Sequence, residues 1–394
     1  MRIFVGLDVA KDLHWACAID QDARPIFSRS VANEPAAIAA LICEIEALCA
    51  EDVTVALDLL GGIATLFRSM IAEAGFRLVH TPGLSVDRAR QGMQGGENKS
   101  DPRDAATIAE LARTRCGLRV VDAERELDVD IRLLAARRRE LVQDQTRRLS
   151  RLRDLLSSLF PELERRIDVT TKTGLAFLSI HAAPHELRSA KAASVVRKVT
   201  RSASHLRGVA QLAENAITLA RAQALDVPGA GTRARLVREL AAEALAARGA
   251  RERIDREIAD LLAGHPDAGL IQSLPGMGVV LTAELIANIG DMRRFRSADA
   301  LAAAAGLTPV LRQSGKSFAI RRANSGDRAL KRVFFQSAFA ALGHPESKAF
   351  HDRKRTEGKR HNQAVIALAR RRINVVWAIF HTRQPFVENF KSAA

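Results

Sequence analysis

The chain has 394 residues, of which 47 % are apolar, and 60 Lys and Arg stand against 45 Asp and Glu for a formal net charge of +15. This length and apolar content fit two or three folded domains and exclude a disordered chain. The cationic excess favours a polyanionic partner; with no bilayer-length apolar run and no signal-peptide pattern, nucleic acid is expected rather than a membrane.

In chain order, residues 1–122 read as an α/β domain. RIFVGLDVA is a short apolar run that reaches Asp8, and HWACAID and RPIFSRS follow as strands across the turn-like QDA. EPAAIAALICEIEALCA has helical spacing. VTVALDLLGG is a β-branched run that ends in a second carboxylate, Asp58, and a glycine pair. IATLFRSMIAEAG reads as a helix closed by Gly75, and FRLVHTP as a fifth strand stopped by Pro82. Three early strands, then helix–strand–helix–strand, predict a mixed sheet with helices packed on it.

GGENKSDPRDAATIAELA comes next. Ser100 or Asp101 can cap a helix, Pro102 suits its first turn, and Asp104 lies three residues after Asp101, so both carboxylates leave a helix N-terminus in one direction. Asp8 and Asp58 end strands at the loop edge where α/β sheets place ligands. Four converging carboxylates would repel unless cations occupied them, and such oxygen donors suit Mg²⁺ or Mn²⁺. Aspartates at strand ends and helix caps are also common without any metal. Glu97, Asn98 and Lys99 make a polar loop that can approach a nucleic-acid backbone or be plain surface, and Lys99 and Arg103 are candidates to bind that backbone.

Residues 123–265 are expected to form long helices or an antiparallel coiled coil. LVQDQTRRLSRLRDLLSSLF carries Leu141, Leu149, Leu152, Leu155, Leu156 and Leu159 at helical intervals, with Arg147, Arg148, Arg151 and Arg153 among them. The arginines form either a solvated face or one that tracks phosphates. Pro161, Gly174 and Pro184 interrupt the run, and a second helical run covers 232–263.

Residues 266–394 read as a third, mainly helical unit with a basic tail. In LPGMG, Gly276 and Gly278 make a turn between helices, either a plain connection or a cradle of backbone N–H groups for a phosphate. In TPVLRQSGKSFAIRR, Ser314 sits among Arg312, Lys316, Arg321 and Arg322. Ser-Gly pairs mark turns, but neighbouring cations would also stabilise charge on an attacked phosphate. Ser317 and Ser325 are its local rivals. The chain contains no Tyr, which excludes tyrosine-linked DNA cutting within it. Cys17, Cys43, Cys49 and Cys116 show no C-x-x-C spacing and read as core thiols of a cytosolic protein, and the ten histidines suggest no structural zinc site.

The order GLDVAKD, an acidic residue before a glycine pair, NKSDPRDA, LPGMG and AAAAGLTPVLRQSG resembles the transposases of the insertion-sequence one-ten family, bridge-RNA-guided recombinases, from about residue 3 to about residue 380. The resemblance implies an RNase-H-like (RuvC-like) N-terminal domain, a helical coiled-coil middle and a C-terminal transposase domain. It implies a four-carboxylate site of Asp8, Asp58, Asp101 and Asp104 for Mg²⁺ or Mn²⁺, and Ser314 as the nucleophile that forms a transient phosphoserine bond. It further implies donor and target DNA, a structured guide RNA, and a tetramer at the bacterial nucleoid, in which one subunit's metal site meets another's serine. The second acidic position is often Glu in the family; here Asp58 is one methylene shorter. Two competing readings are a metal-dependent nuclease without serine chemistry and a binding protein with a decayed site; a membrane-surface protein is a third.

Overall fold

Alternation of buried and exposed residues sets the layers of the N-terminal unit. In β1 (Arg2–Asp8), Ile3, Val5 and Leu7 face one side of a sheet, and Phe4, Gly6 and Asp8 the other. The structure, a computed structural model, describes residues 1–93, 97–121, 125–315, 317–321, 323 and 325–387. These form two compact units, Met1–Arg125 and Glu126–Ala394.

In the first unit, β1 pairs antiparallel with β2 (Leu13–Asp20), which pairs with β3 (Pro25–Ala32). On its other side β1 runs parallel to β4 (Asp52–Leu57), and β4 parallel to β5 (Arg77–His80). A two-residue strand, β6 (Arg119–Val120), closes the order β3-β2-β1-β4-β5-β6. This mixed sheet covered by helices is consistent with an RNase-H-like fold. The five expected strands are present; β6 is too short for period-two patterning to reveal it.

One face is covered by α1 (Pro35–Ala47) and α2 (Thr65–Glu73), whose Ile38, Leu41, Ile45, Phe67 and Ile71 pack on Ile3, Val5, Leu7, Val55 and Leu57. The other is covered by α3 (Gly83–Gln91) and α4 (Asp101–Thr114). The α3 segment, LSVDRARQ, has too few apolar residues to declare itself as a helix in sequence. Gly6 determines how α4 seats. A Cβ at Gly6 would lie 2.1 Å from the Ala105 carbonyl oxygen and 2.3 Å from the Ala109 nitrogen, so only glycine permits this approach.

In the second unit, α5 (Glu126–Leu159) and α11 (Ala230–Ala263) are 34-residue helices packed along each other. His265, just past α11, meets Asp128; Arg138 meets Asp255; Arg148 meets Glu243. One partner's number rises as the other's falls, so the helices are antiparallel. Around one end pack α6 (Pro161–Glu164), α7 (Lys172–Leu178), α8 (Pro184–Arg188), α9 (Ala192–Ser202) and α10 (Val209–Ala222), in a core that includes Leu152, Leu156, Val237 and Ala241. The expected interruptions at Pro161 and Pro184 start α6 and α8, and Gly174 lies inside α7. Around the other end pack α12 (Ala268–Gln272), α13 (Val279–Ile289), α14 (Ala298–Ala304), α15 (Arg328–Ala340), α16 (Pro345–Thr356) and α17 (His361–Thr382), in a core with Ile131, Ile258 and Leu262. Between α14 and α15 a two-stranded hairpin, β7 (Val310–Ser314) with β8 (Ser317–Arg321), stands exposed.

The four cysteines are free, but only Cys17 is in a core; Cys43, Cys49 and Cys116 are exposed, contrary to the core-thiol expectation. Cys43 lies on α1 away from its buried stripe of Ile38, Leu41 and Ile45.

A methyl group at Gly6 must displace α4. Gly6→Ala is expected to destabilise the chain by about 2 kcal/mol or more, in line with overpacked cores, and to lower its melting temperature in calorimetry. An unchanged melting temperature would contradict the packing argument.

Candidate active site

The sheet's carboxyl edge gathers the acidic residues. Leu7 of β1 lies beside Leu57 of the parallel β4, so the residues that follow, Asp8 and Asp58, leave neighbouring strand ends. Alternation sends Asp8 to the α3–α4 face. Asp58 reaches that side too: its Oδ2 lies 4.0 Å from where a Cβ on Gly83, the first residue of α3, would stand. His80 ends β5 opposite Leu57, and its Nε2 lies 3.0 Å from the Asp58 carbonyl oxygen.

The close seating of α4 on Gly6 brings in its first turn. Asp104 is buried and Asp101, one turn earlier, is exposed, so the two share a direction but not an environment. Ser100 occupies the N-cap position without a side-chain cap hydrogen bond, and Asp101 is the first helical residue; the expected cap is positional only. Burial pushes the Asp8 carboxyl up to about 6; repulsion from Asp58, Asp104 and Asp101 adds to it, and Lys99 opposes it. Burial also raises Asp58, against backbone N–H groups of Asp58 and Val9 and the nearby His80.

These residues have the chemistry of a hard-cation site. Oδ1 of Asp58 is buried without a hydrogen-bond partner, and Asp8 feels three other carboxylates. Among the described residues, however, no three His, Cys, Asp or Glu side chains are close enough to ligate one ion. Arg90 explains part of the difference. It is buried on α3, with Nε 2.9 Å from Asp104 Oδ1 in an ion pair and Nη2 donating to Asp87 Oδ1 at 2.5 Å. A guanidinium therefore balances Asp104.

Sequence reasoning missed Arg90, His80 and His14. His14 is buried, accepts the Ala10 N–H at Nδ1 (3.2 Å), and meets the Phe67 ring edge-on at 5.3 Å. Burial holds it below the usual histidine range, so it braces the loop after Asp8 as a neutral ring. The one available signal was HTP, which places His80 at the same sheet edge as the carboxylates.

In the second unit, Ser314 ends β7 at the hairpin tip, opposite Ser317. The register puts Arg312 opposite Ala319 and Val310 opposite Arg321, so alternation places Ser314, Ser317, Arg312 and Arg321 on one face. Leu311, Phe318 and Ile320 form the other face, and all three are exposed. Among the described residues Arg312 and Arg321 have no ion pair. Lys316 and Arg322 lie outside the described residues.

Gly276 proves to be a packing glycine. Its φ is +81°, and a Cβ there would lie 2.6 Å from the Ser337 carbonyl oxygen on α15. Arg372 of α17 secures the same turn: it is buried, donates from Nε to Ser337 Oγ at 2.9 Å, and donates from Nη2 to the Pro275 carbonyl oxygen. Burial pushes its pKa down to about 10. Gly278 caps α13 with open space around it. On α5, Arg147 pairs with Asp144 and Arg148 with Glu243, whereas Arg151 is exposed. Lys99 is exposed and Arg103 half-buried at the start of α4. Among the described residues no helix is long and apolar enough to cross a membrane.

Comparison with known proteins accounts for both ends of the chain. Residues 5–161 match the DEDD transposase domain of insertion sequence IS110, and residues 268–352 match the domain described as transposase IS116/IS110/IS902 family. The chain is similar to the insertion element IS900 uncharacterized 42 kDa protein of Mycobacterium paratuberculosis, at 39 % identity over 96 % of this chain and 95 % of the relative. It is 36 % identical to the insertion element IS116 uncharacterized 44.8 kDa protein of Streptomyces clavuligerus, over 98 % and 96 % of the two chains. The transposase for insertion sequence element IS1111A of Coxiella burnetii is 23 % identical over 96 % of this chain and 90 % of its own. A DEDD transposase domain implies a divalent metal ion, and the carboxylates of the sheet edge are the donors suited to it.

Asp8 has a testable pH signature. A carboxyl raised from 3.8 to about 6 on folding stabilises the metal-free chain below pH 3.8, and that contribution is lost as pH rises through 6. Asp8→Asn should therefore raise the melting temperature of chelator-treated protein at pH 7.5, by a margin that narrows steadily on acidification to pH 4. A margin independent of pH would refute the assignment.

Proposed function

The chain belongs to the IS116/IS110/IS902 family of transposases, and from that premise we propose that it is an RNA-guided DNA recombinase that joins donor and target DNA through a phosphoserine bond at Ser314. It is a DNA transposase; the guide RNA, the serine chemistry and the residue roles are the proposed part. The observation that carries the reading is the hairpin, which presents Ser314 at an exposed tip on the same face as Arg312 and Arg321.

In the proposed step Ser314 Oγ forms a bond to a DNA phosphorus and a phosphorus–oxygen bond to the sugar breaks. Arg312 and Arg321, with Lys316 and Arg322 beside them in sequence, balance the charge that grows on the phosphoryl oxygens. The serine proton leaves to a base outside the hairpin strands, which contain no His or carboxylate. Attack by the hydroxyl of another strand reverses the step with a new partner and frees the serine. Asp8, Asp58, Asp101 and Asp104 are proposed to hold Mg²⁺, or Mn²⁺ in its place. When bound, the metal polarises phosphate oxygens and orients an attacking or leaving oxygen.

The proposal assigns residues 1–122 to the metal domain, 123–265 to the helical middle and 266–394 to the serine-bearing domain. Lys99, Arg103, Arg147, Arg148, Arg151 and the Gly276–Gly278 turn are assigned to nucleic-acid backbones. The pairs of Arg147 and Arg148 are solvent-facing and weak, so a phosphate can replace their carboxylates. RNA guidance rests on the ordered motifs NKSDPRDA and AGLTP…SG, and a tetramer at the nucleoid is the proposed assembly.

In cells that carry the gene with its native flanking DNA, Ser314→Ala should abolish recombination junctions, and Ser317→Ala should retain them. Junctions that survive Ser314→Ala would move the chemistry to the carboxylates alone. Asp101→Asn should likewise abolish metal-dependent joining while RNA binding, measured by filter retention, stays within about twofold of wild type. Binding of DNA should fall steeply with salt, and a flat salt response would contradict the basic-face assignment.

A further inference from the structure

The second unit contains a cleft of about 410 Å³, within the usual size range of ligand sites. One wall is α15, which contributes Arg328, Lys331, Arg332 and Phe335; Leu307, Asn362 and Ile366 complete it. Among the described residues no acidic side chain lines it. Arg332 is held by Glu284 of α13 at 2.8 Å, and Lys331 Nζ donates to the Gly306 carbonyl oxygen at 2.9 Å. Both side chains are thus pre-positioned, and the Asp327 carboxylate just before Arg328 is engaged in capping α15 through the Ala329 and Leu330 N–H groups. Arg328 is the first residue of α15, and the first turn of that helix contains no acidic residue. Cations there oppose the helix dipole, so helix stability does not explain them.

The floor is of a different kind. Leu307 is buried, and Phe335 and Ile366 are half-buried, so apolar side chains, one of them aromatic, line the cleft together with the cations. Asn362, at the start of α17, adds an amide that can donate and accept. An anion joined to a planar, partly apolar group with a polar edge matches all three features.

The cleft also sits at the root of the Ser314 hairpin. Gly306 and Gly326 are in direct backbone contact, and the Asp327 N–H donates to the Ala304 carbonyl oxygen at 2.6 Å. The segment from Leu307 to Arg328 therefore leaves and returns at the cleft. Ser314 is seven positions after Leu307, a reach of at most about 25 Å even when fully extended.

We propose that this cleft is a nucleotide subsite that takes one unstacked nucleotide of a nucleic-acid strand, its phosphate on Arg328, Lys331 and Arg332 and its base against Phe335 and Ile366. The proposal rests on the nucleic-acid reading above and adds a place where a strand is gripped near the serine. Stacking on one aromatic ring and contact with a few cations bind any base, so the subsite holds a strand without choosing its sequence.

The test uses the full-length chain with three fluorescent probes of one sequence: single-stranded DNA, single-stranded RNA and duplex DNA. Phe335→Leu should weaken single-strand binding about tenfold and leave duplex binding unchanged, because paired bases stay in the stack. Arg328→Gln should weaken single-strand binding and reduce the slope of log affinity against log salt by about 0.7. Arg328 is exposed, so this variant serves even if Phe335→Leu fails to fold. An effect on the DNA strand alone assigns the cleft to opened DNA, and one on RNA alone assigns it to the guide; either supports the subsite. Wild-type binding that both variants match overturns the subsite and leaves the transposase reading intact. A wild-type chain that binds none of the probes overturns the nucleic-acid reading itself.

Discussion

The contact between Gly6 and α4 is the constraint on which the first unit's chemistry depends. A strand that carried any side chain at this position would hold the helix away from the sheet, since the nearest atoms are backbone atoms of Ala105 and Ala109. Asp104 immediately precedes Ala105, and Asp101 is one turn earlier. The same closeness that seals an apolar layer therefore presses two carboxylates toward Asp8. Burial is the main cause of the raised pKa of Asp8, and the nearness of Asp58, Asp104 and Asp101 adds to it. Arg90 from α3 offsets part of the negative charge at Asp104.

The second unit uses close backbone packing for a different end. Gly276 lets the LPGMG turn rest on α15, and Arg372 fastens it from α17 with two neutral oxygens and no carboxylate. A buried guanidinium with only neutral partners is costly, which is why its pKa falls. In return, α13, α15 and α17 become one rigid block. That block carries both the cationic cleft and the anchored ends of the hairpin. The hairpin itself has little holding it: two five-residue strands with Leu311, Phe318 and Ile320 exposed are marginal alone. Its base is fixed, and its strands stand exposed. The two units thus divide the charge, acidic at the sheet edge of one and basic at the cleft and hairpin of the other.

Particular residues show how far the sequence could be read. Period-two alternation in RIFVGLD and VTVALD was visible, and it correctly sends Asp8 and Asp58 to strand ends. The antiparallel pairing of α5 and α11 was legible as two long leucine- and alanine-rich runs. Gly276 was read as either a plain turn or a phosphate cradle, and the packing of α15 against it was not legible in its segment. Cys43, Cys49 and Cys116 were expected in cores and lie outside them: Cys43 is off the buried stripe of α1, and Cys49 and Cys116 follow the ends of α1 and α4. α3 was missed because its face toward the sheet is built largely from Val86 and the stem of Arg90.

What the sequence determined by itself was local and periodic: strand and helix spans, the exclusion of tyrosine chemistry, the cationic excess, and the ordered motifs that mark a transposase. What only the tertiary structure decided was which distant residues meet. Arg90 and Asp104, Gly6 and Ala105, and Arg372 and Pro275 are separated by between 14 and 99 positions, and nothing in their own segments announces the partner. Secondary structure follows from the next few residues along the chain. Pairings of this kind depend on how whole helices seat on a sheet or on each other, and that seating is set by side-chain volume summed over an entire interface.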